Sequence, residues 1–358
     1  MVMQLKIVSM LAVLTACGTE DAGQSGTPAH VVVVCTKTCD PAARRELFRR
    51  WADRALDRAG SRFEVWHAGG RSTFATEVPA RWPAPVTASR ADFIARGEEH
   101  VAGDDATAVA DARDAPGDVE VDVLGAPEIE RAVRAGLVAT APAHVAVVCD
   151  LSSSTLGVSC QPSTVRQAAI TWLEHGGLLE GASFEVLVPG QGYDSARRIV
   201  ERRVASHAVG ARVALALDAI DALADAVAHD RGPAGSAIAE TLRLAVDDLA
   251  DRSGVRSLSV LSDLRQYTPG RWNFEKQIPS PAAFSGWLAR EGLAVDLHGI
   301  EISACGTHHM RGKGAGSFDA RMARKVVELW SGVFRDAGAA DARIVSDCDA
   351  MCGGDDGP

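Results

Sequence analysis

The amino-acid sequence predicts a doubly wound, parallel α/β sheet with helices on both faces, preceded by a truncated and degenerate repeat of the same type. Two observations predict this fold class. Strand-like apolar segments alternate with helix-like segments, which is typical of parallel sheets whose strands are joined by crossover helices. The segments AHVVVVCTKTC (29–39) and AHVAVVCDLSSS (143–154) also align without a gap, which indicates an internal repeat.

The N-terminal residues 1–16 indicate an export signal. A single lysine precedes an apolar run that is too short to span a bilayer permanently. The sequence LTAC, which ends at Cys17, resembles the lipobox of bacterial lipoproteins, whose cysteine becomes the lipid-modified first residue. An ordinary signal peptide with an incidental cysteine is the alternative. Residues 17–29 are small and polar and are expected to form a flexible linker, so a membrane-anchored lipoprotein of the bacterial cell envelope, periplasmic or surface-exposed, is predicted.

The first repeat is assigned to residues 30–142. Its strand 29–35 is followed by a helix-like segment (41–60), the strand RFEVW (62–66), a helix (88–101) and an Asp/Ala-rich stretch. Strand, helix, strand is a right-handed crossover unit. Thr36 stands where the second copy has Asp150, so the first repeat is expected to bind no metal.

The second copy, residues 143–350, continues for about twice that length, and residues 351–358 are expected to be a flexible tail. After its first strand the helices are predicted at 162–177, 211–230, 237–250, 280–292 and 319–338, and the strands at 183–187, 257–263, 294–303 and 342–346. Doubly wound sheets bind ligands at the carboxyl ends of their strands. Asp150 and Asp263 lie at two such ends.

Asp150, Ser152 and Ser154 form the pattern D-x-S-x-S, which resembles the metal-ion-dependent adhesion site of the von Willebrand factor type A (VWA) family. The segment AGSAIAETLRLA resembles the second loop of that site, with Ser236 where threonine is usual. VLSDL resembles the third loop, with Asp263, although Leu264 follows where glycine is common. The resemblance covers roughly residues 143–346.

The resemblance implies a divalent ion, Mg²⁺ (or Mn²⁺/Ca²⁺), and a protein partner whose acidic side chain completes the coordination. The metal ligands that it implies are Asp150, Ser152, Ser154, Ser236 and Asp263. Hydroxyls and a few carboxylates are oxygen ligands that suit such hard cations. The alternative is that LSSST caps a helix and that Asp263 only ends a strand.

Cysteine usage agrees with export, because thiols tend to pair in an oxidising compartment. Cys149 and Cys160 flank the candidate metal loop, and Cys35 and Cys39 occupy the same place in the first repeat. Cys305 is placed to pair with Cys348 or Cys352. Without Cys17 the count is odd, so one thiol is left over, and the connectivity stays open.

Other functions are less well supported by the sequence. The formal net charge of −10 argues against a nucleic-acid partner. Cys305, His308 and His309 do not have the spacing of a zinc site, and the nearby glycines do not form a phosphate loop. A lipid-anchored serine hydrolase and a structural envelope protein with a vestigial metal loop remain alternatives, but Ser152 and Ser154 lack a G-x-S-x-G elbow. We therefore predict no enzymatic activity.

Overall fold

The structure is a computed structural model that describes most of the chain, and it confirms the predicted fold class. The described residues are 27–35, 40–67, 71–79, 86–102, 118–124, 126–152, 160–190, 196–205, 209–229, 236–268, 271–274, 276–307, 319–346 and 348. The predicted signal peptide 1–16 and tail 351–358 lie outside them. The domain limits inferred from the sequence stay predictions.

The first copy forms a four-stranded sheet. Its elements are β1 (Ala29–Cys35), α1 (Pro41–Ala55), β2 (Arg62–His67), β3 (Arg71–Glu77), α2 (Val86–Ala102), β4 (Asp118–Leu124) and α3 (Pro127–Gly136). The strand order is β3-β2-β1-β4. β1 pairs in parallel with β2 and β4, whereas β3 is antiparallel to β2.

The second copy forms a six-stranded sheet and a short hairpin. Its elements are β5 (Ala143–Cys149), α4 (Pro162–Trp172), β6 (Ser183–Val188), β7 (Arg197–Arg203), α5 (Val209–His229), α6 (Ile238–Ala250), β8 (Val255–Leu261), β9 (Tyr267–Thr268), β10 (Trp272–Asn273), α7 (Pro281–Arg290), β11 (Glu301–Cys305), α8 (Ala320–Asp336) and β12 (Ala342–Val345). The order β12-β11-β8-β5-β6-β7 is that of a doubly wound sheet.

The internal repeat extends to the topology of the two sheets. β3-β2-β1-β4 in the first copy matches β7-β6-β5-β8 in the second, and the edge strands β3 and β7 are both antiparallel to their neighbours. The register shifts between Val65 and Trp66 in β2, and between Val186 and Leu187 in β6. These pairs are equivalent in the alignment of RFEVW with SFEVL. The two copies therefore share four strands and a shift in strand register at the same place.

Several predicted boundaries were wrong, and some elements were missed. β8 ends at Leu261, so Asp263 lies two residues beyond the strand. The strand predicted at 294–303 begins only at Glu301, because Gly299 adopts a left-handed φ of 70° in a turn before it. β3, β4, β7 and α3 were not predicted; these strands are rich in charged or polar residues and do not give an apolar run.

A shared layer of helices separates the two sheets. Val32 and Val34 of β1 belong to the same buried cluster as Val145 and Val147 of β5, with residues of α3, α4 and α5 between them. α1 and α2 cover the outer face of the first sheet, and α6, α7 and α8 cover the outer face of the second. The copies thus form separate sheets around one continuous apolar core.

Candidate metal centre

Asp150 and Asp263 follow the two central strands of the six-stranded sheet. β5 and β8 are parallel neighbours, with Cys149 paired to Leu261 at their carboxyl ends. From β5 the chain moves to β6 on one side, and from β8 it moves to β11 on the other. This reversal is the topological switch point at which doubly wound sheets bind ligands. The backbone N–H of Asp150 donates to the Leu261 carbonyl at 3.0 Å, which fixes the first loop against the third.

Four hydrogen bonds converge on the buried carboxylate of Asp150. Its Oδ1 accepts from the Ser152 backbone N–H at 2.9 Å and from the Ser236 hydroxyl at 3.3 Å. Its Oδ2 accepts from the Ser262 hydroxyl at 2.7 Å, and the Ser152 hydroxyl also bonds to this carboxylate. All four residues are buried. The structure therefore brings three loops together around Asp150.

Ser262 was not among the residues singled out from the sequence. It directly follows β8, and its backbone N–H donates to the Cys305 carbonyl at the end of β11 at 2.9 Å. Its hydroxyl donates to Asp150 and accepts from the Leu264 backbone N–H at 3.0 Å. A hydroxyl residue directly after a strand that pairs with β5 is the signal that would have identified it.

Asp263 is held by a second residue that the sequence reading missed. Arg265 donates its backbone N–H to Oδ1 at 3.0 Å and its Nε to Oδ2 at 2.7 Å. The carboxylate is fully buried, and Arg265 is only 8% exposed. Asp263 and Arg265 therefore form a buried ion pair, which is held by one side-chain and one backbone hydrogen bond.

Leu264 adopts a backbone conformation that favours glycine. Its φ is 60°, a left-handed conformation that costs a residue with a Cβ roughly 1–2 kcal/mol. Its side chain is buried in the core below α8, and its carbonyl accepts from the Trp330 Nε1 at 2.8 Å. Core packing and this hydrogen bond offset the backbone strain.

The pKa of Asp150 is raised from its ordinary value of 3.8 to about 6. Burial is the largest cause, and the negative charge of Asp263 is the next. The hydrogen bonds from Ser262 and Ser152 lower the pKa but do not compensate. The surroundings of Asp150 therefore disfavour its ionised form.

A buried polar network joins the third loop to the start of α6, close to Ser236. Gln266 accepts from the Ala239 backbone N–H at 2.9 Å and donates to Glu240 at 2.8 Å. Thr268 donates to the other Glu240 oxygen at 2.9 Å. Tyr267 adds a backbone bond to the Ser236 carbonyl at 2.9 Å. The network fixes the relative positions of the second and third loops.

Two disulfides lie at the same end of the sheet. Cys149 pairs with Cys160 across the first loop, and Cys305 at the end of β11 pairs with Cys348 after β12. Both pairings were among those expected. Cys35 is also disulfide-bonded, whereas Cys39 lies outside the described residues. Because Cys305 is bonded to Cys348, it cannot serve as a thiolate ligand for zinc.

The other predicted site residues lie outside the described part of the chain. These are Ser154 of the D-x-S-x-S pattern and the lipidation candidate Cys17. In the first copy the register pairs Cys35 with Leu124, as it pairs Cys149 with Leu261 in the second. Ala126 therefore occupies the position of Asp263, and it is an apolar, buried residue.

Among the described residues, no group of three or more His, Cys, Asp or Glu side chains gathers to hold a metal. The candidate centre instead combines two carboxylates with serine hydroxyls. A cleft of about 420 Å³ lies beside α4 and is lined by residues that include His175, Ser257 and Ser303. Neither Asp150 nor Asp263 lines it, and we place the site where buried carboxylates converge, because buried charges require a functional or structural partner.

No protein-family model and no curated protein sequence matches the chain. Similar solved structures include a von Willebrand factor type A protein from Catenulispora acidiphila (15% identity, TM-score 0.33) and the pilus adhesin SpaC from Lactobacillus rhamnosus GG (13%, 0.36). Each match covers 60% of this chain, but only 40% and 29% of those proteins. Proximal thread matrix protein 1 from the mussel byssus is 12% identical over 92% of this chain and 94% of its own, with a TM-score of 0.31. The fold assignment rests on strand order and register.

None of the helices in the described ranges is long and apolar enough to cross a membrane.

Proposed function

We propose that this protein is a metal-dependent, adhesion-type protein-binding lipoprotein of the bacterial cell envelope. A divalent ion, Mg²⁺ (or Mn²⁺/Ca²⁺), would bind at Asp150 and Asp263 and bridge to an acidic side chain of a partner protein. The observation that carries the proposal is that buried Asp150 accepts hydrogen bonds from serine hydroxyls and interacts electrostatically with a second buried carboxylate, Asp263, at the switch point of the sheet.

The donor set fits a hard divalent ion. Ser236 and Ser262 donate their hydroxyl protons to Asp150, and each hydroxyl oxygen keeps at least one lone pair with which it can coordinate a cation, even though that of Ser262 also accepts from the Leu264 backbone N–H. Carboxylate and hydroxyl oxygens are preferred by Mg²⁺ and Ca²⁺. The raised pKa of Asp150 supports the proposal further, because a bound cation would supply positive charge that favours the ionised carboxylate.

Each of the three loops has a separate role in binding the ion. The first loop supplies Asp150 and Ser152, and the Cys149–Cys160 disulfide constrains it. The second loop supplies Ser236, and the third supplies Asp263, which Arg265 holds in place. When bound, the ion would offer a coordination position to a carboxylate, so an acidic partner is proposed.

The envelope location is proposed from the N-terminal sequence. The LTAC end of the apolar segment resembles a lipobox, so Cys17 would carry the lipid and residues 17–29 would connect it to the folded body. The experiment for this part is mass spectrometry of the mature protein. A diacylglyceryl group on Cys17 is expected, and Cys17→Ala should release the protein from the membrane fraction; a mature chain with an unmodified cysteine would contradict the anchor.

The metal site is tested by calorimetric titration of Mg²⁺, Mn²⁺ and Ca²⁺ into the chelated full chain. Saturable binding is expected in the parent and should be lost in Asp150→Ala. Asp251→Ala is the matched control, since Asp251 is an exposed carboxylate at the end of α6, and it should bind as the parent does. Equal binding by Asp150→Ala and the parent, or no binding by either, would refute the metal site.

Partner binding separates the proposed function from its alternatives. Capture of a partner is expected to disappear in chelator, to return with excess Mg²⁺, and to weaken when the partner's acidic groups are esterified. Turnover of generic esters that is lost in Ser154→Ala but retained in chelator would favour a serine hydrolase instead. Partner binding that Asp150→Ala leaves unchanged would favour a structural envelope protein.

A further inference from the structure

Arg265 is a positive charge that directly contacts the candidate metal centre. Its Nε and its backbone N–H bond to different oxygens of Asp263, at 2.7 and 3.0 Å. The pair is almost entirely removed from solvent. A guanidinium that holds a buried carboxylate in this way is not a screened surface ion pair, so its charge acts at close range and at low effective dielectric constant.

The guanidinium changes the charge that an arriving cation encounters. Asp150 and Asp263, when ionised, carry two negative charges, and among these three residues Arg265 reduces the total to one. A divalent ion would then bring the total to one positive charge, which attracts a carboxylate. The buried carboxylate of Glu240 accepts hydrogen bonds from Gln266 and Thr268.

We infer that Arg265 is the resident counter-cation of this centre: it lowers the affinity for the divalent ion and leaves the loaded site with the net positive charge that selects an acidic partner. This inference rests on the proposed function, because it concerns the same site. It makes Arg265 a residue that acts through Asp263 and not a metal ligand.

The test compares substitutions that keep or remove the charge at position 265. Mg²⁺ and Mn²⁺ are titrated calorimetrically into the chelated full chain of the parent, Arg265→Gln and Arg265→Lys. Even at the dielectric constant of water, a unit charge on the order of 6 Å from a divalent ion changes its binding constant by about tenfold. We therefore expect Arg265→Gln to bind Mg²⁺ at least about tenfold more tightly than the parent, and Arg265→Lys to stay close to the parent.

Arg271→Gln is the control for a change in overall charge. Arg271 lies six positions further along, is exposed, and pairs with Glu291 at 3.1 Å. Its substitution should leave the affinity for Mg²⁺ unchanged. Thermal unfolding in chelator verifies that each variant is folded before titration.

A second pair of variants is needed because Arg265→Gln could prevent folding. In that variant the buried carboxylate of Asp263 has lost the guanidinium that balances its charge. Asp263→Asn removes one negative charge, so the site becomes neutral and should bind Mg²⁺ poorly. Asp263→Asn combined with Arg265→Gln restores the single negative charge and buries no carboxylate at position 263. The double variant is expected to bind Mg²⁺ at least about tenfold more tightly than Asp263→Asn alone.

The outcomes separate this inference from the proposed function. If the parent binds Mg²⁺ and Asp150→Ala does not, but the charge at position 265 has no effect in either background, the metal site stands and the inference is overturned. Equal tightening by Arg265→Gln and Arg265→Lys would also overturn it, because shape and not charge would then control affinity. If neither the parent nor any variant binds the ions, the proposed function and the inference are both refuted.

Discussion

Replacing Asp150 with asparagine should stabilise the metal-free protein at neutral pH while removing its response to divalent ions. Asp150 is fully buried, and its pKa is raised from 3.8 to about 6, first by burial and then by the charge of Asp263. A carboxyl whose pKa is higher in the folded than in the unfolded protein favours folding in its protonated form. The asparagine side chain would remove the charge and keep one carbonyl acceptor, while its amide NH2 would face the Ser262 hydroxyl, whose oxygen can accept from it.

The sign and size of the effect follow from this pKa. Well below pH 3.8 the carboxyl is protonated in both states and has no effect on stability. As the pH rises from there through about 6, the unfolded chain loses its proton first, so the free energy of unfolding falls. The difference between 3.8 and about 6 corresponds to about 3 kcal/mol above pH 7. Between pH 4.5 and 7.5 the change is about 2 kcal/mol.

Urea unfolding in chelator at pH 4.5 and 7.5, with the disulfides intact, measures this difference. The parent should lose about 2 kcal/mol more than Asp150→Asn between the two pH values. Asp251→Asn is the exposed control and should follow the parent within about 0.5 kcal/mol. Adding Mg²⁺ at pH 7.5 should then stabilise the parent but not Asp150→Asn.

Parallel pH profiles of the parent and Asp150→Asn would refute the reasoning, because they would mean that Asp150 is fully compensated by its hydrogen bonds. A variant that is less stable than the parent at pH 7.5 in chelator would refute it as well. In that case the ionised carboxylate would be a structural element of the loop rather than a group that requires a cation.

Three further changes test how the loops are held. Gln266→Leu should lower the free energy of unfolding by about 2–3 kcal/mol, because the buried carboxylate of Glu240 loses its amide donor; urea unfolding that matches the parent would contradict the network. Replacing Cys149 and Cys160 together by serine should cost about 3 kcal/mol and weaken Mg²⁺ binding, and an unchanged melting temperature and affinity would argue against it. Trp330→Phe should cost about 1 kcal/mol by removing the donor to the Leu264 carbonyl; unfolding in urea at the parent's midpoint would show that this bond contributes little.

The central strands could be predicted from the sequence because of where they lie in the sheets. β1, β5 and the end of β8 are covered on both faces, so they give apolar runs that stand out. β7, with the sequence RRIVERR, is an antiparallel edge strand, and charged residues are typical of such edges. Because β7 has no apolar run, it was not predicted from the sequence. The same reason applies to β3, with the sequence RSTFATE. Edge strands of this kind are recognised by their pairing, which a linear pattern does not contain.

The candidate site was predictable where a residue type and a strand end coincide. Asp150 directly follows β5 and meets that condition, whereas Asp263 lies two residues beyond β8. Ser262 directly follows β8 and meets it too, although it was not singled out. Arg265 does not, because its role depends on how the chain turns after β8. The left-handed φ of Leu264 bends the third loop, so that the Arg265 backbone and side chain reach back to Asp263. Sequence spacing alone does not reveal that turn.

The duplicated topology shows that the fold and the proposed function are separable within one chain. Both copies have the same four-strand order and a register shift at the equivalent position of the second strand. Only the second copy has carboxylates at the two positions that follow its central strands, since Thr36 and Ala126 occupy the corresponding positions in the sequence of the first. The first sheet instead packs its inner face on α3 and α5, where it extends the core beneath the second copy. Because four shared strands support a charged centre in one copy and an apolar packing surface in the other, a metal-binding role follows from the loop residues and not from the sheet that carries them.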